Sequence, residues 1–157
     1  MQQTFRPGSV GALMDEYERA ALEMKHVLSQ MTEAEYTADA NAIIVGLESI
    51  KALTGHVLSS GYGYATYVSA AFGKPIERPN APPAPYAEIA SRLDDMLAFT
   101  DAVLKPHYTI PEEQLDTITM MAPWNIPYTL DQMLEHAVCH IHRHRRQMEK
   151  FLVAVRG

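Results

Sequence analysis

The sequence predicts an all-α fold, an up-and-down-type bundle of four helices with long connections. Four segments carry apolar residues at every third or fourth position, which is the spacing of one helix face. No segment alternates apolar and polar residues in the way that indicates a half-buried strand. With 157 residues, 47% of them hydrophobic and 20% charged, the chain has the size and composition of one compact domain, which we expect to span residues 1–157.

The first two long helices follow from apolar periodicity and from their end signals. Residues 9–29 form the first helix, and its apolar face consists of Val10, Leu13, Met14, Tyr17, Ala21, Met24 and Leu28. The second covers about residues 47–72 and stops at Gly73, because a glycine after the last helical residue adopts a left-handed conformation without strain. Gly61 and Gly63 interrupt its pattern, and each costs about 1 kcal/mol relative to alanine.

Polar runs and prolines mark the connections between helices. Residues 32–41 are polar and predict a connection with room for one helical turn. Five of the ten prolines fall within residues 74–85, too many for a helix interior or a central strand, so this segment is an extended surface connection. Residues 107–128 form another loop, which holds Trp124 and three more prolines.

The third and fourth long helices have clear limits. Residues 86–104 form the third, which Pro106 closes, with Ile89, Leu93, Met96, Leu97, Thr100 and Leu104 on one face. The fourth begins at Thr129, whose hydroxyl can cap the helix while Gln132 reaches back to the Thr129 backbone, and it continues to about Val155.

Histidine is the informative residue type, because four of the seven histidines fall within nine positions of the last helix. Residues four apart in a helix lie one turn above each other, so His136, His140 and His144 form a column in which neighbours can chelate one ion. Helical projection places His144 at the edge of the apolar face, His140 farther from it and His136 farthest, toward solvent. This apolar face consists of Leu130, Leu134, Ala137, Ile141, Met148 and Leu152.

A pair of histidines four apart is a weak signal by itself, because most such pairs are solvated or hydrogen-bonded and bind no metal. A third ligand is available in His56, which projects to an inward face of the second helix, although a core histidine bonded to a carbonyl would look the same in sequence. Cys139 lies about 100° from His140 around the helix, so we interpret it as a small buried or half-buried residue outside the site. Tyr67 is the best candidate among nearby aromatic residues to line a groove.

The histidine pattern resembles the DinB/YfiT-like family. The resemblance rests on His56 within Leu-Thr-Gly-His-Val, on His140-Ile-His-Arg-His144-Arg-Arg-Gln147, and on Pro123-Trp124-Asn125 before the last helix. It implies a four-helix bundle with one ligand histidine on the second helix and a His-x-x-x-His pair on the last, so the metal ligands would be His56, His140 and His144. Two positions depart from the pattern: Arg146 stands where glycine is common, and Ile141 where an acidic residue is frequent.

Three imidazoles without a fourth protein ligand suit a divalent transition metal with an open position. We favour zinc, with nickel second and iron also suitable. The resemblance implies either thiol-dependent transfer or isomerisation, as in mycothiol-dependent maleylpyruvate isomerase and bacillithiol transferase relatives, or hydrolysis by metal-activated water. We prefer a metal-dependent enzyme that activates a low-molecular-weight thiol; a hydrolase and a non-catalytic metal-binding or interaction bundle are the alternatives.

Charge and composition limit the partners. The net charge of −6 argues against broad attraction to nucleic acid or anionic membrane, and no segment is apolar enough to span a bilayer. Cys139 is the single cysteine and no leader-like segment is evident, so we expect a cytoplasmic protein. A small-molecule substrate and a homodimer are the expected partners. The roles of Arg143, Arg145 and Arg146 stay open, since cations also stabilise the end of a helix.

Overall fold

The computed structural model describes residues 5–157, and this part of the chain is mostly helical, as predicted. Within it the α-helices are α1 (Gly8–Ser29), α2 (Glu33–Thr37), α3 (Ile50–Ala71), α4 (Ile89–Leu104) and α5 (Leu130–Arg156). Two strands, β1 (Thr119–Met121) and β2 (Pro127–Thr129), pair antiparallel. Single 3₁₀ turns cover Tyr86–Glu88, Lys105–His107 and Glu112–Gln114. Each described helix is too short or too polar to cross a membrane.

Capping groups set the helix boundaries. The Ser49 hydroxyl accepts a hydrogen bond from the first turn of α3, so this helix begins at Ile50, three residues later than predicted. The helical turn anticipated in the first connection is α2, where Thr32 and Glu35 form a reciprocal capping box. At the start of α5, the Thr129 N–H donates to Gln132 Oε1 at 3.1 Å, as predicted for that helix.

The helices α3 and α4 run side by side in the same direction. Gly61 in the middle of α3 lies against Met96 in the middle of α4. Farther along both helices, the Phe72 ring stacks on the ring of His107, with the ring centres 3.5 Å apart. Contacts that advance along both helices together require a parallel arrangement.

The helices α1 and α5 are also parallel neighbours. Glu23 near the end of α1 forms an ion pair with Arg145 in the second half of α5. Just beyond α1, the Gln30 carbonyl accepts a hydrogen bond from Arg156 at the end of α5, at 2.6 Å. Further packing joins α3 to α5 and α1 to α4.

The two parallel pairs run in opposite directions. Arg6, just before α1, pairs with Asp101 near the end of α4 at 2.9 Å, whereas Lys25 late in α1 pairs with Asp94 early in α4. In chain order the long helices run up, down, down and up, so the alternating up-and-down order that we predicted is wrong. The long connection makes this possible. α3 has 22 residues and is about 33 Å long, a distance that about ten extended residues cover, and residues 74–85 form a connection of twelve residues without helix or strand.

The predicted loop over residues 107–128 contains a β-hairpin that sequence analysis missed. Ala122 and Ile126 close a tight loop through a hydrogen bond of 3.0 Å between the Ala122 N–H and the Ile126 carbonyl. Asn125 adopts the left-handed conformation, φ 61°, that such three-residue loops require. Strands of three residues are too short to show an alternating pattern, so the sequence gave no strand signal.

The core lies between the four long helices, and all of them contribute to it. Its largest fully buried side chains are Met14, Met24, Tyr36, Ile50, Leu58, Leu93, Met96, Leu104, Leu130, Met133, Ile141 and Phe151. Gly61 permits the close approach of α3 to α4, because a Cβ atom there would lie 2.1 Å from Met96 Sδ. The glycine that weakens the helix pattern in sequence is therefore required by packing.

We expect Gly61→Ala to be less stable than Gly63→Ala by about 1–3 kcal/mol. Both substitutions gain the same helix propensity, about 1 kcal/mol. The new methyl group at position 61 would overlap the buried Met96, whereas at position 63 it would lie 3.2 Å from the guanidinium carbon of Arg78, an exposed side chain that can move. Urea denaturation of the two variants measures the difference, and equal stabilities would contradict the close approach.

Candidate metal centre

Three histidine rings converge between α3 and α5. His56 lies on α3, and His140 and His144 lie one turn apart on α5. The Nε2 atom of His140 is 3.0 Å from Nε2 of His56 and 3.1 Å from Nε2 of His144. One ring nitrogen from each residue lies within 4.8 Å of the other two, so the group could hold a metal ion. The structure thus brings together the three residues that the sequence predicts as ligands.

The burial of these three rings differs from the burial that helical projection of the sequence predicts. His140 and His144 are only 5% and 6% exposed, although His140 was expected closer to solvent than His144. Tyr64 of α3 accounts for this, since its ring meets the His140 ring edge-on with the ring centres 5.6 Å apart. His56, expected on an inward face, is exposed.

The nitrogen spacing fits a metal ion. Two nitrogens bound at about 2.0 Å to one tetrahedral zinc ion are about 3.3 Å apart, close to the 3.0 and 3.1 Å found here. A neutral imidazole carries one N–H, whereas His140 Nε2 faces two other ring nitrogens. A single N–H on His140 Nε2 can point at only one of the two neighbouring nitrogens, so the other contact lacks a well-directed hydrogen bond. A cation between the nitrogens satisfies all of them.

Gln147 orients one of the three rings. Its Oε1 atom lies 2.6 Å from His144 Nδ1, one turn along α5. An amide oxygen is an acceptor, so this contact places the ring proton on Nδ1 and leaves the Nε2 lone pair directed at the other histidines. A partner of this kind fixes the tautomer and the orientation of metal-binding histidines in general.

The surroundings keep the three histidines uncharged at neutral pH. Burial, together with the neighbouring His144 and His56 rings and Arg143, lowers the pKa of His140 to about 3. Burial likewise lowers the pKa of His144 to about 4, against the opposing effect of the Gln147 hydrogen bond. The pKa of His56 is lowered by burial and by Arg143. Neutral imidazole is the form that binds metal.

Aromatic side chains cover the end of the cluster nearest the start of α5. The His136 ring lies among Tyr64, Trp124 and Tyr128, with ring centres 5.3, 5.8 and 5.4 Å away. The hairpin supplies Trp124 and Tyr128, and α3 supplies Tyr64, whose pKa burial raises to about 12. His136 is therefore half-buried against an aromatic wall, where the sequence projection placed it in solvent.

The three arginines near the site have different surroundings. Arg145 points away from the cluster and pairs with Glu23 of α1, while its Nε atom is 3.7 Å from Glu149. Arg143 and Arg146 are exposed. The charge of Arg143 lowers the pKa of His56, His136, His140 and His144. Cys139 is exposed, contrary to the burial that we expected, and lies outside the cluster.

Sequence reasoning identified the histidines and missed part of their surroundings. Tyr64 contacts His136 and His140, whereas Tyr67 was the predicted groove residue. Tyr67 lies about three turns beyond His56 along α3, farther from the three histidines than Tyr64. Trp124 belongs to the motif before the last helix, but nothing in the sequence pairs a hairpin residue with His136.

Comparison with known proteins gives one match. A family model described as the DinB superfamily matches residues 16–148. No curated protein and no solved structure matches the chain. The matched region includes all three converging histidines and Gln147.

We expect the metal-free protein to lose stability as the pH falls from about 6.5 toward 4. The folded pKa values of His140 and His144, about 3 and about 4, lie below the value of about 6.5 for an unfolded histidine. In this window the unfolded state binds more protons, so protonation favours unfolding.

The His140→Gln variant tests this directly. Its free energy of unfolding should fall less steeply between pH 7 and pH 5 than that of the wild type, because one uncharged buried histidine is gone. His26→Gln, at an exposed position of α1, serves as the matched control and should keep the wild-type slope. Identical slopes in the wild type and His140→Gln would contradict the burial of a neutral His140.

Proposed function

The chain belongs to the DinB superfamily, and on this premise we propose that His56, His140 and His144 bind one divalent transition metal ion in a metal-dependent enzyme that activates a thiol. The observation that carries the proposal is the convergence of three uncharged imidazole nitrogens on one point, with His140 Nε2 within 3.1 Å of the other two. Zinc is the preferred ion and nickel the second choice, since three imidazoles suit both.

A zinc ion bound there would supply Lewis acidity, which lowers the pKa of a bound thiol or water toward neutrality. The protein residues prepare the site for it. Gln147 holds the His144 ring so that Nε2 faces inward. Tyr64 and the hairpin residues Trp124 and Tyr128 exclude water from one side of the histidines.

A thiol is favoured over water as the nucleophile because it needs a much smaller change in pKa to ionise near pH 7. Within residues 5–157 the candidate metal-binding group contains three histidines and no carboxylate. Water has a pKa of about 15.7 and reaches about 7 only through the full effect of a bound zinc ion, whereas a thiol of pKa about 8.5 needs only a small shift to ionise near pH 7. Hydrolysis by activated water is the second candidate, and the predicted homodimer stays a prediction.

Elemental analysis of protein purified without an affinity tag tests the metal site. We expect close to one transition metal ion per chain in the wild type and loss of most of it in His56→Ala and His144→Ala. His136→Ala is the matched control, because this ring lies on the same face of α5 outside the converging group, and it should retain the metal. Near-stoichiometric metal in both His56→Ala and His144→Ala would rule out the proposed site.

The thiol reaction is tested with zinc-loaded protein, 2-mercaptoethanol and 1-chloro-2,4-dinitrobenzene. In this reaction a carbon–sulfur bond forms, chloride leaves and the thiol proton goes to the buffer. Lowering the thiol pKa from about 8.5 to about 7 raises the thiolate fraction at pH 7 about 15-fold and reduces its nucleophilicity about fivefold. We therefore expect an acceleration of about threefold or more.

The His140→Ala variant should lose that acceleration. If the wild type and His140→Ala react equally, the protein is not a thiol-activating enzyme toward such electrophiles. Hydrolysis of 4-nitrophenyl acetate that depends on His140, without any thiol effect, would support the hydrolase instead.

A further inference from the structure

Arg143 lies beside the three-histidine group on the solvent side of α5. It follows His140 by three residues, so the two side chains are neighbours on the helix surface. Around the helix axis Arg143 is about 60° from His140 and about 20° from His136. The side chain is exposed. Its position thus flanks His140 on the side that faces solvent.

The charge of Arg143 is uncompensated within residues 5–157. Several arginines of this part of the chain have carboxylate partners, among them Arg6, Arg145 and Arg156. Arg78 and Arg146 have none among the described residues, but neither follows His140 by one turn. No ion pair of Arg143 occurs among the described residues. An arginine left without a partner beside a functional site is available to bind a ligand.

The field of Arg143 reaches the whole site. Its positive charge lowers the pKa of His56, His136, His140 and His144, and also that of Tyr64 against the larger effect of burial. The charge of Arg143 therefore acts on side chains of both α3 and α5.

With a divalent metal ion bound, the site would carry a large positive charge. A divalent ion on three neutral imidazoles adds two positive charges, and Arg143 adds a third, with no carboxylate in the group. Concentrating like charges next to half-buried side chains is unfavourable unless an anion offsets them. One thiolate would offset a single charge, which leaves room for a second anionic group on the ligand.

We propose that Arg143 is a specificity-determining residue that binds a carboxylate group of the ligand. The same ligand would reach the three-histidine group with its sulfur or another donor atom. The inference rests on the proposed function, because the ligand is held between Arg143 and the metal site. The Arg143 guanidinium offers a fork of N–H donors that matches the two oxygens of a carboxylate. Trp124, which is 44% exposed, packs against His136, one turn before His140 on α5, and suits an apolar ligand body.

Cobalt(II)-loaded protein tests the proposal with two thiols of the same length, 3-mercaptopropionate and 3-mercaptopropan-1-ol. Binding of each is followed by the visible absorption of cobalt. Arg143→Gln should weaken 3-mercaptopropionate about fivefold, the upper range of a solvent-accessible ion pair, and should leave 3-mercaptopropan-1-ol unchanged. Arg143→Lys should retain part of the preference for 3-mercaptopropionate over 3-mercaptopropan-1-ol. Added salt should reduce this preference in the wild type.

Arg146→Gln is the matched control, since it removes an exposed arginine of the same helix away from His140, and it should bind both thiols like the wild type. Equal weakening of both thiols in Arg143→Gln, or of neither, would overturn the role of Arg143. If the cobalt spectrum responds to neither thiol, the proposed thiol activation is wrong. The binding of benzoate compared with that of benzamide then tests the role of Arg143 separately. Failure of the protein to take up cobalt through His56 would overturn both proposals.

Discussion

Keeping His140 uncharged between His56 and His144 is the constraint on which the centre of the molecule depends. At most one of the three imidazoles can be protonated while they share this small space, because two positive charges at 3.0–3.1 Å repel strongly. Burial of His140 and His144 supplies the condition by disfavouring the charged form. The same burial makes the arrangement costly in the absence of a cation, so the fold holds the rings in place against a tendency to separate.

The helix packing provides that restraint. α5 is tied to α1 by the pair of Arg145 with Glu23 and at its end by Arg156, so the face that carries His140 and His144 is turned toward α3. α3 is held in turn by its close approach to α4 at Gly61. Contacts on both sides of α3 and α5 fix the distance between the two helices, and His56 can meet the other histidines only if that distance is maintained.

The sequence predicted what depends on local periodicity and missed what depends on contacts distant along the chain. Helix positions and the column of His140 and His144 follow from a spacing of 3.6 residues, and they were found within a few residues. The helix directions were predicted wrongly, because periodicity carries no information on which way the long proline-rich connection returns. Tyr64 and the hairpin residue Trp124 were missed as neighbours of His136 for the same reason, since only folding brings α3 and the hairpin to α5.

The uneven exposure of the histidines indicates the side from which a ligand approaches. His140 and His144 are covered by α3 and by aromatic rings, whereas His56 is open to solvent. A path to the point between the three nitrogens therefore begins on the side of His56. Arg143, an exposed residue of α5, is the arginine proposed to bind the ligand. Arg145, two residues later on the helix, is directed about 200° away and serves the packing against α1. Helix geometry thus turns two neighbouring arginines in opposite directions, Arg145 toward α1 and Arg143 toward solvent.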